Sequence, residues 1–179
     1  VDGNMIEGII EKFHTPAMPD EILDFMNLGP GKVIVDATMG TAGHSRMILE
    51  RILPHGRLIG IDRDAESLEI AKERLADFRK SVDFVHGNFT DIDAMLERLN
   101  IKNANGILFD LGVSTFQLET AERGFSFQSE GPLDMRLDRT SSVSAYDLIN
   151  NLNEDELSSL LWNFGQERWH NRIAHRLVQ

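Results

Sequence analysis

Lys32-Val-Ile-Val-Asp36, with Gly40-Thr-Ala-Gly43 just after it, is the stretch of sequence that decides the fold. A short apolar run rich in β-branched residues is typical of a buried strand, and the glycines interrupt the chain before a helix. Apolar residues recur at helical spacing from 44 to 53, and Pro54 then closes the helix. This order of strand, glycine turn and helix predicts the first unit of an α/β domain.

The same order of elements continues along the chain as far as Asp110. The pattern predicts further strands at 57–62, 82–89 and 106–110 and helices at 65–78 and 92–99. Alternation at this close spacing favours right-handed βαβ units, and therefore a doubly wound parallel sheet with helices on both faces. Only four strands are predicted, so we expect the sheet of this chain to be incomplete.

The sequence changes character after Asp110. Residues 111–140 hold glycines and short polar turns without a clear period, which predicts a long loop of functional importance. Helices are predicted at 144–152, 154–164 and 167–178, and Asn153 is the expected N-cap of the second one.

Composition and charge exclude several classes of protein. The chain has 179 residues, of which 41% are hydrophobic and 26% charged, which is ordinary globular composition. No apolar run approaches the roughly 18 residues of a membrane span, so we expect no membrane partner. The absence of cysteine rules out a thiolate metal site; we predict no metal and expect a cytoplasmic protein.

The net charge of −11 opposes binding of the chain as a whole to nucleic acid. Residues 168–179 differ, because they contain three arginines, two histidines and no acid. Two interpretations remain open for this segment: a local surface that faces RNA, and the solvated face of a terminal helix.

Ligands of open α/β sheets bind beyond the carboxyl ends of the strands, so the residues there are candidates for binding. Glycines 40 and 43 would let a ligand approach free amides at the start of a helix. Asp62 ends the second strand, where a carboxylate can accept both hydroxyls of a ribose. The turn lacks a full G-x-G-x-x-G, and Asp36 would repel a phosphate but suits an ammonium. These features favour S-adenosylmethionine (SAM) over NAD as the cofactor.

Phe89 and Asp110 follow the third and fourth strands. Phe89 could lie against an adenine, and Asp110 could accept a hydrogen from an exocyclic amine as it is methylated. Each candidate also has a structural alternative: Asp36 and Asp62 as turn caps, His44 as an ordinary helix residue and Phe89 as a core ring. Asp110 could equally bind the cofactor.

Longer motifs resemble one known family. They are His14-Thr-Pro-Ala-Met-Pro-Asp-Glu21, Asp36-Ala-Thr-Met-Gly-Thr-Ala-Gly-His44, Ile61-Asp-Arg-Asp64, Asp110-Leu-Gly-Val-Ser114, Gln117-Leu118, Arg123-Gly-Phe-Ser-Phe127 and Gly131-Pro-Leu-Asp-Met-Arg136. From about His14 onwards the chain resembles the bacterial ribosomal RNA small-subunit methyltransferase H family. The last two motifs, close together in the chain, are the most specific.

The resemblance implies a class I SAM-dependent methyltransferase with a helical domain inserted after the fourth strand. Residues 1–114 would be the N-terminal part of the SAM-binding domain, and 115–179 a lid loop with the start of the insertion. The implied activity is methylation of the N4 amine of a cytosine in the decoding region of 16S ribosomal RNA. The implied partner is small-subunit ribosomal RNA or the assembling 30S subunit. A SAM-binding or ribosome-assembly module without catalysis is the alternative.

The resemblance also implies the residues of the site. Asp110 would be the catalytic candidate, and the implied SAM contacts are Ala42, Gly43, His44, Asp62, Phe89, Asp110 and Gln117. Ala42 stands where the family usually has glycine, which is harmless at negative φ and costly at positive φ.

The long loop carries a separate hypothesis about RNA. Arg123, Arg136 and Arg139 could pair with phosphates, and Phe125 and Phe127 could stack on an extruded base. The alternative is that the phenylalanines pin the loop to the core.

Overall fold

The computed structural model describes residues 16–179, so the first two residues of the motif that begins at His14 lie outside the described part. The chain divides into two compact units between Phe116 and Gln117. In the described residues, no helix combines the length and apolar character needed to cross a membrane.

The first unit is built on a parallel sheet of four strands in the order β3-β2-β1-β4. The strands are β1 (Val33–Asp36), β2 (Arg57–Asp62), β3 (Val82–His86) and β4 (Gly106–Leu108). Strands β2 and β3 follow one another on one side of β1, and β4 pairs with the other side of β1. The predicted doubly wound parallel sheet is thus confirmed, and the crevice of such a sheet opens where the order reverses, between β1 and β4.

Apolar layers cover both faces of this sheet. Helices α1 (Pro19–Phe25), α2 (Gly43–Ile52), α3 (Ala65–Arg74) and α4 (Ile92–Arg98) connect or precede the strands. Neighbouring strand residues alternate between the layers: Ile34 and Leu58 belong to one buried cluster, and Val35 and Ile59 to the other. Because both faces of β1 and β2 are buried, the interiors of these two strands are apolar and only their ends carry polar side chains.

The second unit is helical. Its elements are α5 (Thr115–Glu119), which spans the division between the units, α6 (Ala145–Asn151), α7 (Glu154–Gly165) and α8 (His170–Val178). The predicted N-cap is confirmed: the side chain of Asn153 accepts from the Glu156 amide, and the Glu156 side chain accepts from the Asn153 amide. Helices α7 and α8 pack together and bury Leu157 and Ala174.

Several predicted boundaries are wrong, for physical reasons. The helix predicted at 65–78 ends at Arg74, and Ala76–Phe78 forms a 3₁₀ turn; Phe78 still packs against the core, which preserves the apolar spacing. The strand predicted at 82–89 ends at His86, because the Asn88 side chain accepts from the Thr90 amide and caps a second 3₁₀ turn.

The final strand and helix are also shorter than predicted. Strand β4 ends at Leu108 rather than at 110, and the last helix begins at His170 rather than at 167. The His170 amide instead bonds to the Glu167 carbonyl in a turn that precedes the helix.

Arginines hold the long loop together, which corrects the hypothesis that Arg123 is available to phosphates. Arg123 is 1% exposed, and its Nη2 donates to the carbonyls of Arg136 and Leu137 at 3.0 Å each. Arg136 in turn binds Asp134 through Nε at 2.9 Å and Nη2 at 2.6 Å. Phe127, by contrast, is 99% exposed, so it does not pin the loop to a core.

We predict that Gly131→Ala destabilises the loop. A methyl group at Gly131 would overlap the Ala121 carbonyl, whereas one at Gly165 meets nothing within 4 Å. Overpacking of this kind costs about 1 to 3 kcal/mol, so urea denaturation should give a lower free energy of unfolding for Gly131→Ala. The control Gly165→Ala should be neutral or slightly stabilising. Equal free energies of unfolding for the two variants would contradict this close approach.

Candidate functional site

Asp62, at the end of β2, links the end of β2 to the glycine turn that follows β1. Its Oδ2 accepts from the Gly40 amide at 2.7 Å, and its Oδ1 accepts from the Asp64 amide at 2.8 Å. Burial raises the pKa of Asp62, and both amides oppose that rise because they favour the charged carboxylate. The Gly40 amide is therefore engaged within the fold, contrary to the expectation that the turn offers it to a ligand.

Asp36, at the end of β1, lies beneath the same turn. It is 1% exposed; Ser45 Oγ donates to its Oδ2 at 2.6 Å and the Thr38 amide to its Oδ1 at 3.3 Å. Burial raises the pKa of this carboxyl to about 6, and the charges of Asp62 and Asp110 add to the rise. These contacts favour the turn-cap alternative for Asp36 over direct contact with an ammonium.

Asp110 and His44 face each other across the turn. The Asp110 amide donates to Thr38 Oγ1 at 2.7 Å, and its half-exposed carboxylate lies 3.5 Å from His44 Nε2. That separation is within ion-pair range but lacks hydrogen-bond geometry. Burial lowers the pKa of His44, and Asp110 opposes the shift.

Both ring nitrogens of His44 are buried, and neither has a hydrogen-bond partner in the described part of the chain. Leaving such a group unsatisfied costs about 1 to 3 kcal/mol. Since Asp110 lies within ion-pair range of Nε2, Nδ1 is the ring atom left without any contact of this kind in the described residues, and it indicates that a polar ligand or a bound water completes the site.

The glycine turn combines an open surface with a strained residue. A methyl group added at Gly40 meets nothing within 4 Å, whereas one at Gly43 would contact the Pro16 ring at 3.4 Å. Gly40 therefore borders open space, whereas a side chain at position 43 would pack against Pro16. Ala42 has φ 68 and ψ 32, a left-handed conformation that costs a non-glycine residue about 1 to 2 kcal/mol. The departure from glycine at Ala42 is thus the costly kind.

Arg74 supports this turn from α3. Its Nη1 donates to the Thr41 carbonyl at 2.6 Å and reaches Thr41 Oγ1 at 3.3 Å. Arg46 Nη1 donates to the Arg74 carbonyl at 3.0 Å. The Arg74 bonds hold Thr41, which lies between Gly40 and Ala42, in place.

The remaining predicted residues lie in two places. Phe89 is half-buried and meets Phe109 edge to face, with ring centroids 5.4 Å apart, so it lies against the residue that precedes Asp110. Gln117 is 4% exposed in α5 and belongs to the second unit. The first unit itself therefore gathers Ala42, His44, Asp62 and Asp110 around one turn.

Three supporting residues escaped the sequence analysis. Thr38 lies inside the quoted motif that ends at His44, and Ser45 directly follows it, so a search for side chains that could bond Asp36 would have found both. Arg74 lies 33 residues from Thr41 in the chain, and no local pattern signals their contact.

An open parallel α/β sheet with carboxylates gathered at its switch point defines a Rossmann-like ligand-binding domain. The model of the MraW methylase family matches residues 11–179, and the chain belongs to this family.

Relatives agree with this assignment. Proteins named ribosomal RNA small subunit methyltransferase H are 49% identical in Syntrophotalea carbinolica, 48% in Geobacter sulfurreducens and 47% in Pelobacter propionicus. The matches cover 92%, 93% and 93% of this chain but 52%, 53% and 53% of those relatives. The family resemblance is confirmed, and the chain spans about half the length of the curated relatives it matches.

The raised pKa of Asp36 predicts a pH dependence of stability. Between the ordinary value of 3.8 and about 6, the folded state holds more protons on Asp36 than the unfolded state. Asp36 therefore lowers the free energy of unfolding as the pH rises through this window, by about 3 kcal/mol in full. Removing the carboxylate with Asp36→Asn should remove this loss.

The measurement is urea denaturation at several pH values between about 4 and 7. As the pH rises across this range, the free energy of unfolding of Asp36→Asn should increase by about 2 to 3 kcal/mol relative to that of the wild type. Asp93→Asn, which changes an exposed aspartate of α4, is the matched control and should run parallel to the wild type. Parallel curves for Asp36→Asn as well would show that its carboxyl titrates normally.

Proposed function

We propose that this chain is the cofactor-binding part of a SAM-dependent methyltransferase that modifies the N4 amine of a cytosine in the decoding region of 16S ribosomal RNA. The observation that carries the proposal is the pair of strand-end carboxylates, Asp62 and Asp110, on either side of the open surface at Gly40. Membership of a methylase family supports methyl transfer, and the names of the relatives support a small-subunit RNA substrate.

Asp62 is suited to hold the ribose of the cofactor. A carboxylate has about four acceptor sites, and the amides of Gly40 and Asp64 use two of them. The same two bonds fix the orientation of the carboxylate before a ligand arrives, which reduces the entropic cost of binding. Phe89 would lie by the adenine, and Ala42, Gly43, His44 and Gln117 would complete the contacts.

The charge of the first unit suits a cationic ligand. Asp36, Asp62 and Asp110 lie close enough for their charges to interact, as the raised pKa of Asp36 indicates. No arginine or lysine forms an ion pair with any of them in the described residues. A sulfonium and an ammonium would relieve this repulsion, whereas a pyrophosphate would increase it.

SAM supplies an electrophilic methyl group when it is bound. We assign Asp110 as the acceptor of the hydrogen that leaves the cytosine amine. Its carboxylate is half-exposed, and its amide is fixed by Thr38. His44, whose burial favours the neutral imidazole, lies 3.5 Å from this carboxylate and would adjoin the bound cofactor. The same carboxylate could also contact the methionine end of the cofactor.

The wider assignments belong to the same proposal. The assembling 30S subunit would be the partner, and a ribosomal RNA substrate implies the cytoplasm. A SAM-binding or ribosome-assembly module without catalysis is the second candidate. Transfer of labelled methyl from SAM to small-subunit RNA, followed by mass spectrometry of the nucleosides, separates the two. N4-methylcytidine supports catalysis, and SAM binding without any methylated nucleoside supports the second candidate.

We predict that Asp62→Ala weakens SAM binding by about 2 to 4 kcal/mol, roughly 30- to 1000-fold in Kd. Charge-assisted hydrogen bonds contribute about 1.5 to 3 kcal/mol each and are not additive. Titration calorimetry on the full-length protein measures the Kd, and circular dichroism reports whether the turn survives loss of the Gly40 bond. Asp93→Ala serves as the control. A folded Asp62→Ala protein with the wild-type Kd would remove Asp62 from the site.

We predict that Asp110→Asn separates the two roles of Asp110. If the carboxylate accepts the amine hydrogen, the single-turnover rate on small-subunit RNA falls by about 100-fold or more with the SAM Kd nearly unchanged. If it holds the cofactor, the Kd rises instead. We expect both effects, with the larger one on the Kd. A variant that matches the wild type in rate and Kd would exclude both roles.

A further inference from the structure

One face of α8 combines positive charge with exposed apolar side chains. The face consists of Trp169, which immediately precedes the helix, and of Arg172, Ile173, Arg176 and Leu177. These residues line an open cleft of about 770 Å³ in the second unit. Their spacing of three and four residues places them along one side of the helix.

Among the described residues, no acid pairs with the arginines of the α8 face. Elsewhere Arg57 pairs with Asp83 and Arg136 with Asp134, at 2.6 Å in both cases. No ion pair within residues 16–179 engages Arg172 or Arg176. The nearby acids are occupied otherwise: Glu154 pairs with His175, and Glu167 accepts from the Trp169 amide. Residues 168–179 contain no acid, so the positive charge of this face is locally unpaired in the described part of the chain.

The apolar members of the face are equally unusual for a solvated helix. Trp169 is 62% exposed and Leu177 44% exposed. The Arg172 guanidinium lies 5.1 Å from the centroid of the Trp169 ring, a cation–π contact. A half-exposed indole beside guanidinium groups provides a stacking platform next to phosphate-binding groups, which is the combination that binds single-stranded nucleic acid.

We infer that the α8 face binds single-stranded RNA of the substrate, with Arg172 and Arg176 on phosphates and Trp169 against a base. The choice of RNA as the occupant rests on the proposed function and on charge complementarity. An apolar protein segment seated here would bury two guanidinium groups without counter-charges, and their desolvation would oppose its binding. A phosphate backbone supplies those counter-charges.

The test uses the full-length protein and a fluorescein-labelled single-stranded RNA of about 20 nucleotides, titrated at several salt concentrations. Replacement of both arginines, R172Q/R176Q, should make the negative slope of log K against log salt shallower by about 1.4. If the wild-type and variant lines meet at 1 M salt, that change weakens binding about tenfold at 0.15 M. The control R79Q/K80Q removes two exposed charges from the first unit and should leave the slope unchanged.

The outcomes separate this inference from the proposed function. A wild-type protein that binds SAM and methylates RNA, with unchanged RNA affinity in R172Q/R176Q, would overturn the inference alone. An equal loss in R79Q/K80Q would also overturn it, because the effect would then reflect net charge. A wild type without methyl transfer, whose RNA affinity still falls selectively in R172Q/R176Q, would overturn the catalytic proposal and support the RNA surface.

The variant R172K/R176K guards against a purely structural effect. It keeps both charges but alters the geometry of the side chains, so it should retain most of the RNA affinity and the salt slope. The face would be shown to pack within the protein by two results together. Both double variants would lose thermal stability and RNA binding, and Trp169 fluorescence would be shielded from quencher in the wild type. That result would overturn the inference.

Discussion

The hydrogen bond from the Gly40 amide to the Asp62 carboxylate links the ends of two neighbouring strands, and the geometry of the site depends on it. Asp62 can accept this bond because β1 and β2 run parallel in the register that pairs Asp36 with Gly60. With Gly40 held, the turn runs through Ala42 in a left-handed conformation and delivers His44 into the first turn of α2. From there the imidazole reaches Asp110 at the end of β4. One backbone amide thus connects the glycine turn with two candidate binding groups.

The carboxylates gathered at the strand ends repel one another, and hydrogen bonds from the protein's own backbone and side chains offset part of this cost. Asp36 is buried and accepts a hydrogen bond from Ser45 Oγ, yet its pKa is still raised to about 6. Burial and repulsion from Asp62 and Asp110 therefore exceed what the bonds recover. The strained Ala42 and the ring nitrogens of His44, which have no hydrogen-bond partner in residues 16–179, add to the cost. Unfavourable features collected at one place are typical of sites where a ligand restores the balance.

Local patterns allowed much of this architecture to be predicted. The apolar strands, the glycine turn and the amphipathic helices are properties of short segments, and the parallel topology follows from their alternation. Asp62 and Asp110 could be placed at one edge because the carboxyl ends of parallel strands meet there. The enclosure of Asp36 and the Arg74 bond to Thr41 could not be predicted, because they depend on how distant segments pack. Arg123 misled for the same reason: its charge suggests phosphate binding, but the loop folds around its guanidinium.

A crystal structure of the full-length protein with SAM tests the central claim most directly. The account predicts that the ribose hydroxyls lie about 3 Å from the Asp62 carboxylate. It also predicts the ribose above Gly40 and the sulfonium on the side of Asp110. SAM bound away from the ends of β1, β2 and β4, or bound there without contact to Asp62, would contradict the account.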